Sequence, residues 1–236
     1  MKALSVQQPF AFEIFSGQKT IEVRTWDTLH RGDLLICSSG KPAFSKMEME
    51  EMEEEYGCTF LYGYALCLVR AADVRHRRKG DEDKALMDEI DPEAYCWMLE
   101  DVRPVIPFPV KGQQGLFEVD ESLITISPFR YDDPIVVKSG TLSQDLAIDF
   151  SGWHGRTSSI LLSEEGDPLI HVAWDSLSLR SMSPAVMEKM VKEGFDWTGA
   201  LLRLHEIEHA EPRDSWDDVR DAIESIEEAH ASIFQE

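Results

Sequence analysis

No apolar run in this chain is longer than a single β-strand. The longest, Phe60 to Val69, has ten residues and contains Gly63. A helix that crosses a bilayer needs about 20. A membrane span is therefore not expected, and any core must be assembled from short elements. With 43% hydrophobic residues the chain can bury a core of globular size. The elements read below mix strands with short helices, which makes the expected class α+β.

In the first half, Lys2 to Val6 reads as a strand. Pro9 opens a helix with Ala11, Ile14 and Phe15 on its apolar face, and Gly17 ends it. Thr20 to Arg24 alternates, with Ile21 and Val23 inward. Leu34 to Ser38 and Phe60 to Val69 read as further strands. The spacing predicts a helix over Pro92 to Leu99 carrying Tyr95 and Trp97. Pro104, Pro107 and Pro109 predict an irregular extended stretch, and Gly115 to Val119 a closing strand. The acidic run Met47 to Glu55 reads as a solvated helix face.

Glu121 to Ile135, with two prolines and the pair Asp132-Asp133, reads as a linker. It divides the chain into domains 1–127 and 128–236. In the second domain, Thr157 to Ser163 and Leu169 to Trp174 form a hairpin around Glu164–Pro168. Ser183-Pro184 starts a helix that runs to Lys192. Leu201 to Ile207 alternates like a strand until Pro212 breaks it, and a last helix spans Trp216 to Ala231. The expectation is a small SH3-like β-barrel with flanking helices.

Charge narrows the partners. There are 45 acidic and 23 basic residues, a net charge of −22. That opposes general binding along a phosphate backbone, so any nucleic acid must be held at a local patch or pocket. Acidity suits a hard cation better. Cys37, Cys58, Cys67 and Cys96 show no CxxC pair and fit a reducing compartment. The start of the chain lacks the apolar core of a signal peptide, so a cytoplasmic location is expected.

One short segment concentrates chemistry. In SGQKTIEVR, Ser16 to Arg24, a glycine-capped helix delivers Lys19 to the start of a strand, and Glu22 and Arg24 share one strand face. Such a cluster can hold a planar polar ligand by directed hydrogen bonds. A solvated salt-bridged strand face is the competing reading, and spacing alone favours it. Gln8, Lys19, Glu22, Arg24 and Trp26 are the candidate ligand contacts. Arg75, Arg77, Arg78 and Lys79 form the basic cluster that could meet phosphates, or simply balance Asp81, Glu82 and Asp83.

These segments occur in a telling order: ALSVQQPF, SGQKTIEVR, RGDLLI, GYALCLVRAADV, YCWMLEDVRPV and VKGQQGLFEV. Together they resemble the ASCH family, whose GxKxxExR pattern is met by Gly17, Lys19, Glu22 and Arg24. The resemblance implies a small β-barrel related to PUA domains, with a cleft lined by that motif, and RNA binding. Some short members hydrolyse acetylated cytidine with a lysine and a threonine three residues later. Lys19 matches the lysine, but Glu22 stands at the threonine's place, so binding is expected ahead of catalysis. If the chain were an amidohydrolase, Lys19 and Glu22 would be its catalytic pair. Lys19 could act as a base only if burial lowers its pKa.

The second half has no EF-hand spacing. Its tokens WHGR, HVAWDSLSLRSM, EEGFDWTGALLRLHEIE and AEPRDSWDDV resemble the cyanobacterial calcium-binding protein (CcbP-type) family, which is acidic and binds calcium without EF-hands. Position and chemistry suggest Asp175, Asp196, Glu206, Glu208, Asp214, Asp217 and Asp218 as calcium ligands. A merely acidic surface is the alternative. His205-Glu206-Ile207-Glu208-His209 satisfies HExxH, but zinc chemistry needs that motif on a helix, and a strand would hold the histidines about 13 Å apart. The expected function is ligand recognition: RNA or a modified nucleoside in the first domain, calcium in the second, and no membrane. Hydrolysis of an N-acylated nucleoside and acidic calcium buffering are the alternatives.

Overall fold

The computed structural model describes residues 1–143 and 145–234, and the chain divides into two compact units, Met1–Tyr131 and Asp132–Glu236.

The first unit is built on six strands. These are β1 (Lys2–Val6), β2 (Ile21–Arg24), β3 (Gly32–Ser38), β4 (Tyr64–His76), β5 (Tyr95–Pro109) and β6 (Leu116–Glu118), in the sheet order β2-β5-β4-β3-β1-β6. Only β1 and β3 pair in parallel. Three short helices accompany them: α1 (Phe10–Phe15), α2 (Lys46–Tyr56) and α3 (Asp81–Ala85). The fold is mixed α+β, and the sheet curls into a half-barrel. Register shifts along β4 and β5 help it curl, because each bulge adds twist to its strand. Ala3, Leu35, Ala65, Leu68, Val105 and Phe117 bury themselves in one cluster, and Ile21, Ala85, Ile90 and Cys96 in another.

Two expectations fail here. Pro92 to Leu99 is not a helix. Pro92 lies in the turn closed by Ala94 N–H donating to Asp91 O at 3.0 Å, and Tyr95 opens a central strand bonded to β2 on one side and β4 on the other. Tyr, Cys and Trp fit a sheet flanked on both edges, and that setting overrides a proline start signal. The Pro104–Pro109 stretch is not irregular either. Pro104 faces Cys67 and Pro109 faces Tyr64 within β5, beside the register shifts where a missing N–H costs little.

The second unit holds β7 (Pro134–Val137), β8 (His154–Leu162), β9 (Pro168–Trp174), β10 (Gly199–Arg203) and β11 (Ile207–His209) in one antiparallel sheet, ordered β10-β9-β8-β7-β11. The helices α4 (Ser176–Ser181), α5 (Pro184–Lys192) and α6 (Trp216–Ala229) belong to it. Ser183 caps α5 with Pro184 at its first turn, and Ser215 and Asp218 form a capping box on α6. The core centres on fully buried Trp174, packed on Phe150 and Trp153 at ring separations of 5.2 and 5.1 Å. Gly155 is required by packing. A Cβ there would lie 2.7 Å from Val172 Cγ1 and closer still to the Ala173 carbonyl. The expected strand Leu201 to Ile207 is split: Leu204–Glu206 forms a single 3-10 turn between β10 and β11. Among the described residues, no helix is long and apolar enough to cross a membrane.

Candidate functional site

The GxKxxExR segment folds as a corner. Gly17 takes φ +80°, which an L side chain resists, and its N–H donates to Ile14 O at 3.0 Å to end α1. The Lys19 N–H then donates to Glu13 O, and the Thr20 N–H to Lys84 O at the end of α3. Strand β2 follows, with Glu22 opposite Trp97 and Arg24 opposite Tyr95. Lys19 is thereby pinned between α1, α3 and the sheet, with only 2% of its surface exposed.

The solvated strand face is thus replaced by a buried charge cluster. Lys19 Nζ donates to Ala85 O, lies 3.9 Å from Glu22 Oε2, and sits 5.1 Å from the Phe10 ring centroid. Arg24 Nη2 lies 3.1 Å from Glu22 Oε1 and donates to Ser5 O at 2.8 Å. Glu13, from α1, is a fourth member. It is 6% exposed, as is Glu22, and Tyr56 donates its hydroxyl to Glu13 Oε1 at 3.2 Å.

Burial sets the proton affinities. It lowers the Lys19 pKa, while Glu22 and Glu13 pull the other way. It raises Glu22, opposed by Arg24 and then Lys19, and raises Glu13, opposed chiefly by Lys19. Two acids and two bases give a cluster that is neutral in sum and rich in directed donors and acceptors. Among the described residues, Glu13 Oε2 and Arg24 Nε are buried with no hydrogen-bond partner. Unpaired buried polar atoms are costly, and a ligand that supplies the complementary groups recovers that cost.

The other first-unit candidates divide. The Gln8 amide donates to Leu61 O at 2.9 Å and accepts from Phe12 N–H at 2.9 Å, so it braces the start of α1. Trp26 is half-buried and meets Trp97 edge-on at 4.7 Å. The basic cluster does not act as one patch. Arg75 makes a bidentate pair with Asp81 at 2.7 and 2.8 Å, and Arg77 pairs with Glu82 at 3.1 Å. Arg78 and Lys79 are exposed.

The seven carboxylates expected to bind calcium are not gathered into a ligand set. Among the described residues, no three His, Cys, Asp or Glu side chains converge as a metal site requires. Most serve local bonds. Asp175 takes both Arg213 donors at 2.6 and 2.8 Å and also caps Ser178. Burial alone would raise its pKa, but those bonds hold it below the usual carboxylate value. Asp214 accepts from Ser176 N–H, Asp196 from Thr198, and Glu206 from Arg203 N–H. Asp217 pairs with Arg220 and Asp218 caps α6, while Glu208 is exposed on β11. The HExxH segment lies across the 3-10 turn and β11, not on a helix, so it lacks the one-face geometry of a zinc site.

A curled mixed sheet whose edge strand carries a buried Lys–Glu–Arg cluster defines the class: a small α+β domain with an internal polar cluster. The particular domain follows from comparison. Residues 4–108 match the ASCH domain model, and the N-terminal unit therefore carries an ASCH domain. The chain is 25% and 28% identical over 131 residues to Activating signal cointegrator 1 of Mus musculus and of Homo sapiens. Each match covers 51% of this chain and only 22% of the relative's length. An ASCH crystal structure from Zymomonas mobilis aligns with a TM-score of 0.38 at 16% identity, covering 52% of this chain and 95% of that one.

Proposed function

We propose that the N-terminal unit recognises RNA or a modified nucleoside at the Lys19–Glu22–Arg24 cluster. The observation that carries this reading is the unpaired pair of buried atoms, Glu13 Oε2 and Arg24 Nε, beside an otherwise satisfied charge cluster. A base edge presents donors and acceptors on one plane, the kind of partner each of these atoms lacks. Half-buried Trp26 supplies a ring beside the same strand. The chain's net charge of −22 argues that recognition is local, not spread along a backbone. Fluorescence anisotropy with short single-stranded RNA, and calorimetry with cytidine and acetylcytidine, test the reading. Saturable binding that Arg24→Gln weakens supports it; binding indifferent to Arg24 removes it.

Hydrolysis of an N-acylated nucleoside is the second reading. Its support is the burial of Lys19, which lowers the amine's pKa toward the range where it can take a proton. Glu22 in the threonine's place is the counter-argument. Chromatography of acetylcytidine incubated with the full chain decides: released acetate that Lys19→Ala abolishes supports the enzyme, and no turnover removes it. Calcium binding by the second unit, in an SH3-like barrel of the CcbP type, is supported by its acidity and by the sequence resemblance. Calorimetric titration of calcium against excess magnesium tests it.

A further inference from the structure

In the second unit, β10 stands at one end of the sheet. Among the described residues, strand β10 pairs only with β9, from Gly199 opposite Ala173 to Arg203 opposite Leu169. A cleft of about 440 Å³ is lined by all five residues of β10. Leu169 and His171 of β9 line it too, so the cleft spans the outer edge of β10 and one adjoining sheet face.

The backbone there is turned outward. Arg203 N–H donates to Glu206 Oε2 at 2.6 Å, away from β9. In an antiparallel pair, residues two apart point their N–H and C=O the same way. Leu201 and Gly199 therefore turn theirs into the cleft. Among the described residues, nothing outside the sheet bonds to the Leu201 backbone. Edge strands are commonly blunted by lysine or proline, and GALLR has neither.

Side chains specify what fits. Asp145, Glu165, Asp196 and Glu206 line the cleft against a single cation, Arg203. Leu201 is 49% exposed and Phe195 41%, and both line this one cleft. We propose that the free edge of β10 is a docking edge for a short extended segment of a partner protein, with basic and apolar residues alternating along it. The segment adds to the sheet as a sixth strand. Backbone bonds to Leu201 supply affinity, and the acidic rim selects the cations.

The test uses the full chain, labelled with ¹⁵N, and an acetylated, amidated hexapeptide that alternates lysine with valine. Amide shifts confined to 194–206, 142–143 and 145–150, saturating together, are the expected result. Methylating alternate backbone nitrogens of the peptide leaves the protein untouched and should weaken binding about tenfold or more. Asp145→Asn with Glu165→Gln, two cleft carboxylates not assigned a core role, should weaken it severalfold. Absence of shifts at millimolar peptide overturns the proposal. So does equal binding of the methylated peptide, or of a glutamate–valine analogue.

Discussion

Asp81 is the most consequential residue outside the charge cluster, and Asp81→Asn is the sharpest test of how that cluster is held. Its carboxylate takes both Arg75 donors and the Arg78 N–H at 2.6 Å. It thereby fixes the start of α3, whose far end supplies the Ala85 carbonyl to Lys19 and the Lys84 carbonyl to Thr20. The Arg75 bonds, against the opposing effect of burial and with help from Arg78, bring the Asp81 pKa from 3.8 to about 2. At 1.4 kcal/mol per pH unit the shift corresponds to about 2 kcal/mol, reduced to about 1–2 by the solvent near Arg75. The sign follows from a depressed folded pKa. The contribution is present above 3.8 and is lost as pH falls toward 2. Urea unfolding at neutral pH should therefore show the loss in Asp81→Asn, and the gap to wild type should close on acidification. The variant should also weaken any ligand bound at Lys19, since α3 is freed. Unchanged stability, or a gap that persists at pH 2, would refute the chain of support from Asp81 to Lys19.

Further outcomes follow from other contacts. In spectra of ¹³C-labelled lysines, Lys19 should titrate below its ordinary 10.5, so stability should rise as pH climbs from its folded pKa to that value; titration with the exposed lysines would contradict its burial. Gly155→Ala should cost about 1–3 kcal/mol in thermal unfolding, because its Cβ must displace Val172 or the Ala173 carbonyl. Asp175→Asn should cost about 1–3 kcal/mol at neutral pH, the loss fading in acid as the wild-type carboxyl also protonates.

Much of the site was legible, and what was missed has physical reasons. Gly17, Lys19, Glu22 and Arg24 carry a pattern, and strand alternation correctly placed the last two on one face. Burial was not legible, because the helix and backbone that cover Lys19 come from the 80s, and a carbonyl such as that of Ala85 has no sequence signature. Glu13 was not among the candidates, because the helix was read only for its apolar face of Ala11, Ile14 and Phe15. At six residues α1 is too short to keep a solvent face, and Phe12, Glu13, Ile14 and Phe15 are all buried. The β5 strand was misread because proline and aromatic signals are local, whereas its two flanking strands arrive from elsewhere in the chain. In the second unit acidic composition suggested a metal cage, yet six of the seven candidate carboxylates, all but Glu208, are occupied as helix caps, turn acceptors and arginine partners.

Calorimetric titration of cytidine and a short single-stranded RNA into wild type and Arg24→Gln, at physiological salt, tests the central claim most directly. Arg24 is the most exposed of the four charges, so its loss perturbs the fold least. The account predicts one site per chain and about tenfold or greater weakening in the variant, as expected for a charged hydrogen bond. Equal affinity in both proteins, or binding that depends only on Arg78 and Lys79, would contradict it.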